Sequence, residues 1–168
     1  MIEIKEKKEC TGCFVCYNIC PKNAIKMEED KEGFKYPNVD KSKCINCGLC
    51  TKVCPVINNK IVNEKKEKPI IYAAWSKQQT VRLDSTSRGI FSELANHFYS
   101  NDGFVCGAIF NDNNLVEHIL SSDVKDIDKI RSSKYLQSDI NDIYKKIKEK
   151  LEQNKLVLIC GSPCQIAG

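Results

Sequence analysis

Two stretches of this chain carry cysteine at the same spacing, and each is closed by proline: Cys10-x-x-Cys13-x-x-Cys16-x-x-x-Cys20-Pro21 and Cys44-x-x-Cys47-x-x-Cys50-x-x-x-Cys54-Pro55. They account for eight of the eleven cysteines. The pattern constrains the fold before any helix or strand is considered. Three thiols at steps of three residues must share one tight loop, and the proline after the fourth turns the chain in a new direction. Structural zinc prefers two separated Cys-x-x-Cys pairs and is satisfied by four ligands. Disulfides need an oxidising compartment, and Met1-Ile2-Glu3-Ile4-Lys5 lacks the apolar core of a secretory signal. Neither explains a third cysteine at the same step or the repeated Cys-Pro.

A pair of 4Fe-4S cubes explains both. In this respect residues 1–56 resemble a bacterial-type two-cluster ferredoxin module, in which the fourth cysteine of each run ligates the other cluster. The expected ligands are Cys10, Cys13, Cys16 and Cys54 for one cluster, and Cys44, Cys47, Cys50 and Cys20 for the second. Such crossing braids the two halves, so neither half is expected to fold well without both cubes. Gly12 and Gly48 lie inside the loops, where the backbone must pass close to sulfide or take unusual dihedrals.

Composition narrows the partners. The net charge is +4 over 168 residues, and no dense basic stripe implies nucleic acid. The alternating Lys and Glu of residues 5–8 and 65–68 read as solvated ends or linkers. The longest apolar runs are far too short to span a bilayer. A reduced cytoplasmic protein, plausibly of an anaerobe, is the expectation.

Along the chain, residues 24–28 and 33–37 read as a short hairpin joined at Glu29 to Glu32. Residues 57–69 are polar and Lys-rich and read as a linker. The character then changes. Ile70-Ile71-Tyr72-Ala73-Ala74-Trp75 is a compact apolar run expected as a buried strand, with Tyr72 and Trp75 in the core. A polar stretch covers Ser76 to Ser87. Ile90, Phe91, Leu94, Ala95 and Phe98 recur at helical spacing, with a stop near Asn101-Asp102-Gly103. Phe104 to Phe110 and Leu115 to Leu120 predict a hairpin across Asn111–Asn114. Asp123 opens a short helix to about Ile130. Asp139 caps another, whose apolar face is Ile140, Ile143, Tyr144, Ile147 and Leu151. Leu156 to Cys160 reads as a second fully apolar strand, and Gly161-Ser162-Pro163-Cys164-Gln165 as the turn that opens a helix. The expected fold class is α+β: a two-cluster ferredoxin-like module followed by an incomplete α/β domain with a mixed, covered sheet. The chain ends at Gly168 just as that last helix opens, and so reads as the front part of a longer domain.

Three motifs in residues 70–168 carry a further resemblance: Ser87-Arg88-Gly89-Ile90-Phe91-Ser92, Ser132-Ser133-Lys134-Tyr135-Leu136-Gln137-Ser138, and Gly161-Ser162-Pro163-Cys164-Gln165. With the cysteine module ahead of them, they make the chain similar to the coenzyme F420 hydrogenase/dehydrogenase beta-subunit family. The resemblance implies a flavin-binding domain at 70–168 that holds FAD. It also implies single-electron exchange between the clusters and that flavin, and a small-molecule or F420-like acceptor or donor. The redox partner it implies is a ferredoxin, hydrogenase or dehydrogenase subunit. Carried residue by residue, it implies a cofactor site of Ser87, Gly89, Ser133, Lys134, Tyr135, Gly161, Ser162, Pro163, Cys164 and Gln165, with Cys164 and Lys134 as candidate catalytic residues. Arg88 and Ser132 stand where the family has glycine, and Ser162 where it has threonine. No Gly-x-Gly-x-x-Gly fingerprint is present, so a Rossmann dinucleotide site is not supported.

The remaining chemistry-bearing residues have plainer readings. Cys106 and Cys160, on apolar runs, read as buried structural thiols. Cys164, at a helix start, is either a thiol at the flavin or a turn residue. Arg131 and Lys134 either meet an anionic cofactor or sit solvated at a helix end. His97 and His118 lack metal-ligand spacing and read as surface or boundary residues. Two functions follow: an iron-sulfur flavoprotein oxidoreductase, or a non-catalytic ferredoxin-type subunit that docks onto a partner oxidoreductase.

Overall fold

A computed structural model describes residues 1–4, 6–58 and 70–168. Of the expected linker, residues 59–69 lie outside the described residues. The chain divides into two compact units, Met1–Lys65 together with Gly161–Gly168, and Lys66–Cys160.

In the first unit, β1 (Ile25–Glu29) pairs antiparallel with β2 (Lys35–Val39), from Ile25 opposite Val39 to Glu29 opposite Lys35. The hairpin sits one to two residues later than expected, because Asp30 organises the turn. Its carboxylate accepts from the N–H of Glu32 at 2.9 Å and of Phe34 at 3.1 Å. Pro37 is tolerated opposite Met27 because a two-stranded ribbon leaves one flank of each strand unpaired. Two one-turn helices, α1 (Val15–Ile19) and α2 (Leu49–Val53), pack on each other. Neither is long enough to persist alone. The core that holds them is Ile2, Cys16, Ile25, Cys50 and Cys54, with Tyr17, Met27, Val39 and Val56 packed against it.

The second unit is built on a three-stranded mixed sheet. β3 (Phe104–Phe110) is central, β4 (Val116–Ser121) runs antiparallel to it, and β5 (Val157–Ile159) runs parallel on the other side. The helices are α3 (Gln79–Leu83), α4 (Ile90–Ser100), α5 (Ile127–Ile130) and α6 (Ile143–Glu152). Ala95 of α4, Val105 of β3, and Ile127 and Ile130 of α5 form the core, with Phe91, Phe98 and Leu158 against it. The helix at 90–100, the hairpin 104–121 and the acidic start at Asp123 follow the sequence pattern. Asp123 Oδ1 accepts from the N–H of Lys125 at 2.9 Å.

Several expectations fail. Ile70–Trp75 is not a strand and is exposed, with Ile71 at 89% and Trp75 at 58%, so Tyr72 and Trp75 are not core residues. An apolar run becomes a strand only where a neighbouring edge supplies hydrogen bonds. Among the described residues, 70–75 pair with no strand of the sheet. β5 is shorter than the apolar run and only half-buried, because it lies at the sheet edge. Leu156 and Cys160 at its ends are exposed, so Cys160 is not a buried thiol. Cys106, by contrast, is fully buried, and burial pushes its thiol up to about 12.

Asp139 does not cap a helix. Its backbone extends the sheet, accepting from His118 N–H and donating to the carbonyl of Val116, both at 2.8 Å. The helix starts at Ile143 instead, and Leu151 leaves the apolar face and is exposed. The polar stretch 76–87 contains α3, which its composition did not signal. Among the described residues no helix is long and apolar enough to cross a membrane.

His118 is also buried rather than peripheral, since it shares the inward face of β4 with Val116. Its Nε2 lies 3.1 Å from the carbonyl oxygen of Cys160, so Nε2–H donates, and its buried Nδ1 has no hydrogen-bond partner among the described residues. Burial holds this imidazole below its ordinary value, with the Cys160 carbonyl opposing the shift. The unfolded chain therefore binds a proton that the folded unit resists. Stability is full above about pH 6.5 and falls as the pH drops below it. Thermal melts at about pH 5 and about pH 7.5 should show an acid loss that His118→Gln reduces; an equal loss in both proteins would refute this role.

Candidate cluster-binding site

The two cysteine loops turn left-handed at the same two positions. The third residue of each run, Gly12 or Asn46, takes φ of 60° or 54°; the fifth, Phe14 or Gly48, takes φ of 63° or 75°. Each loop thus needs two left-handed residues and places its single glycine at a different one of them. Glycine takes this region freely and asparagine tolerates it, but Phe14 is held there at a cost of roughly 1–2 kcal/mol. Phe14 and Asn46 are the loop residues that sequence reasoning missed; aligning the two runs residue by residue would have exposed them.

After the second left-handed residue each loop enters its one-turn helix and then leaves it at the fourth cysteine. Cys20 (φ −71°, ψ 112°) and Cys54 (φ −69°, ψ 118°) are both extended, as a residue before proline must be. Each donates its N–H back to a helix carbonyl at 3.4 Å, Cys20 to Tyr17 and Cys54 to Thr51. That bend carries the fourth thiol away from its own loop.

Two cavities result. One, about 370 Å³ including its open mouth, is lined by Cys44, Cys47, Cys50 and Cys20 among apolar walls that include Ile25, Ile45 and Leu49. The other, about 290 Å³ measured the same way, is lined by Cys10, Cys13, Cys16 and Cys54 with Ile2, Phe14 and Val56. Gly48 lines the first of these, and a Cβ built on it would meet nothing within 4 Å. Among the described residues no three His, Cys, Asp or Glu side chains converge closely enough to hold one metal ion. The thiols instead surround a volume, as four ligands to four different irons of one cube do. The donor set, the apolar walls and the open space fit a 4Fe-4S cluster in each cavity.

The electrostatics are consistent with thiols meant for metal. Burial raises Cys10 and Cys13, and pushes Cys16 up to about 12, with Cys13, Cys10 and Cys54 adding like-charge repulsion. Opposing this, backbone N–H groups of Gly12, Val15 and Tyr17 hydrogen-bond the sulfurs of Cys10, Cys13 and Cys16. Ala24 N–H reaches Cys20 Sγ at 3.3 Å. Thiols crowded like this hold protons until a cation reverses the local charge. The two sites differ in exposure. Cys13, Cys16, Cys50 and Cys54 are buried, whereas Cys47 is exposed beside Ile45, which is 57% exposed.

The residues expected at a flavin are placed differently. Gly161–Gln165 clusters with the first unit, while Ser87, Gly89, Ser133, Lys134 and Tyr135 belong to the second. Ser133 and Tyr135 are exposed, Tyr135 at 94%. Lys134 Nζ donates to the carbonyls of Lys129 and Ile130, closing the end of α5, and burial lowers its pKa. Arg131 faces the Asp128 carboxylate at 3.3 Å. Gly89 (φ 87°) follows Arg88 (φ 59°), and a Cβ on Gly89 would stand 3.0 Å from Ser76 Cβ and from Val81 Cγ1. Its close approach is therefore to the chain's own α3 segment. Ser162 caps α7 (Pro163–Ala167) in a reciprocal box with Gln165, whose Oε1 accepts from Ser162 N–H at 2.8 Å. Of these residues Lys134, Ser162 and Gln165 spend polar groups on hydrogen bonds within the chain.

Residues 9–58 match the family described as 4Fe-4S dicluster domain. The N-terminal segment therefore carries a ferredoxin-type 4Fe-4S domain, and such a domain serves electron transfer. No curated protein matches the chain.

Proposed function

We propose that this chain is a ferredoxin-type electron-transfer part of an oxidoreductase. It would relay single electrons through two 4Fe-4S clusters, one held by Cys10, Cys13, Cys16 and Cys54, the other by Cys44, Cys47, Cys50 and Cys20. A 4Fe-4S cluster supplies a reversible one-electron couple. The observation that carries the reading is that each cavity gathers three thiols of one run and the fourth of the other. The residues would then divide the work. Buried Cys13, Cys16 and Cys54 keep water from the first site, while exposed Cys47, beside Ile45, Lys41 and Lys43, gives a redox partner protein an approach to the second. In this reading residues 1–56 are the module, 57–69 the linker, and the protein works in a reducing cytoplasm.

A second reading makes 70–168 the front of an FAD domain of the F420 hydrogenase/dehydrogenase beta-subunit type, with a small-molecule or F420-like acceptor or donor. Arg88 favours it: the position where that family has glycine is left-handed here, as a glycine position would be. The hydrogen bonds that Lys134, Ser162 and Gln165 make within the chain weigh against it. Anaerobic reconstitution with iron and sulfide, followed by titration with FAD, tests both readings. Iron, sulfide and a low-temperature EPR signal on reduction, without bound FAD, support the relay alone. Stoichiometric FAD makes the protein a flavoprotein. A chain that takes up no iron overturns the relay.

A further inference from the structure

The two cluster cavities meet the surface differently. Ile2, Phe14 and Val15, which line the cavity of Cys10, Cys13, Cys16 and Cys54, are buried, as are three of its four thiols. The cavity of Cys44, Cys47, Cys50 and Cys20 has an open rim. Met1 (46% exposed), Ile45 (57%) and Leu49 (37%) line it, and Cys47 is exposed among them. Exposed apolar side chains gathered round one cavity mouth are the kind of surface that a partner covers.

Charge is divided the same way. Lys22 lines the open cavity, directly after Pro21, and is exposed. Lys41 and Lys43 are exposed just ahead of Cys44, and Lys52 is exposed on α2. Residues 20–26 and 40–54 supply all of this cavity's lining except Met1 and Val39. They carry five lysines and one carboxylate, Asp40, whose Oδ2 lies 3.4 Å from Lys43 Nζ. Residues 1–19 and 27–39 of the same module carry five lysines and seven carboxylates. The module's surplus of positive charge therefore belongs to the segments around the second cavity. An apolar centre with a charged rim is the anatomy of a docking surface. A rim of one sign selects a partner of the opposite sign and speeds its approach.

We propose that this rim is the docking surface for an acidic redox protein, which presents carboxylates to Lys22, Lys41, Lys43 and Lys52, covers Ile45 and Leu49, and exchanges one electron with the cluster behind Cys47. The inference rests on the relay reading above and names the class of its partner. In each exchange the cluster passes between its oxidised and one-electron-reduced states, while the partner's own centre gains or loses that electron. No bond in this chain forms or breaks.

The test uses the anaerobically reconstituted full chain, with iron content and the EPR signal checked first. The probe is an acidic flavodoxin, whose flavin takes one electron from the cluster and a proton from water to become the semiquinone. Stopped flow compares the parent, Lys22→Glu with Lys41→Glu, and Lys8→Glu with Lys31→Glu. The last pair makes an equal change of charge on exposed lysines that line neither cavity. At low salt the rate should fall about tenfold or more in the first pair and stay within about twofold of the parent in the second, a difference that about 0.5 M salt removes. Carbodiimide, which joins a lysine directly to a carboxylate, should link the probe to Lys22, Lys41, Lys43 or Lys52 before any electron is added. Equal slowing by both pairs means that net charge alone attracts the probe and overturns the inference. A rate unchanged in the first pair, crosslinks confined to other lysines, or an iron-loaded parent that neither binds nor reduces the probe also overturns it. Each of these results leaves the relay intact. A parent protein without iron overturns the relay, and this inference with it.

Discussion

Cys20→Ala will strip the cluster bounded by Cys44, Cys47 and Cys50 and spare the one bounded by its own run. Cys20 follows Cys16 by one helical turn, yet its sulfur lines the cavity of the second run, because extended backbone before Pro21 turns it away from α1. The Ala24 N–H, 3.3 Å from its sulfur, fixes it there. Alanine removes one of four ligands, and the exposed Cys47 edge lets water reach the gap. The expected loss is about half of the bound iron, one cluster of the two. Cys54→Ala should do the reverse, damaging the site of Cys10, Cys13 and Cys16, with a larger structural penalty because Cys54 is buried in the core. Iron and sulfide analysis with Mössbauer spectroscopy of each variant distinguishes the sites. If Cys20→Ala instead loses the cluster of the Cys10 loop, the crossed wiring is wrong.

The second large effect is expected on removing iron altogether. The buried apolar residues of the first unit include Cys13, Cys16, Cys50 and Cys54, beside Ile2, Phe14, Val15, Ala24 and Ile25. Without the cysteines the unit keeps a few small apolar contacts, two one-turn helices and a two-stranded hairpin. None of these elements is stable alone in water, and a segment this small needs a staple beyond its apolar core. Cluster binding is then folding free energy for the unit. After chelation, amide hydrogen exchange should show protection lost across β1, β2, α1 and α2 and kept in β3, β4 and α4, which have an apolar core of their own around Ala95 and Val105. Native-level protection of β1 and β2 in the iron-free protein would mean that the hairpin is held by something other than the clusters.

How much of this was legible beforehand depended on the range of the interaction involved. The helix at Ile90–Ser100 and the hairpin from Phe104 to Ser121 were readable because period and turn residues act within a few positions. Asp139 misled because a good capping residue was captured by the sheet, where Val116 and His118 take its backbone. Ile70–Trp75 and Leu156–Cys160 look alike as apolar runs, and only the second found an edge to pair with. The site divides the same way. The eight thiols were evident from spacing, whereas Phe14 in a left-handed position, Lys134 closing the end of α5 and the engaged cap at Ser162 were not.

The sequence by itself determined the loop chemistry: where the thiols sit, where the chain must bend, and which cofactor such a set accepts. Spacing, proline and left-handed residues act through covalent geometry, so their consequences are local. It took the tertiary structure to show that Cys47 faces outward while Cys16 is buried, that His118 is sealed, and that the backbone of Asp139 joins the sheet. Those are contacts between residues distant in the chain. They are settled by which surfaces can be buried together, and no local pattern encodes that.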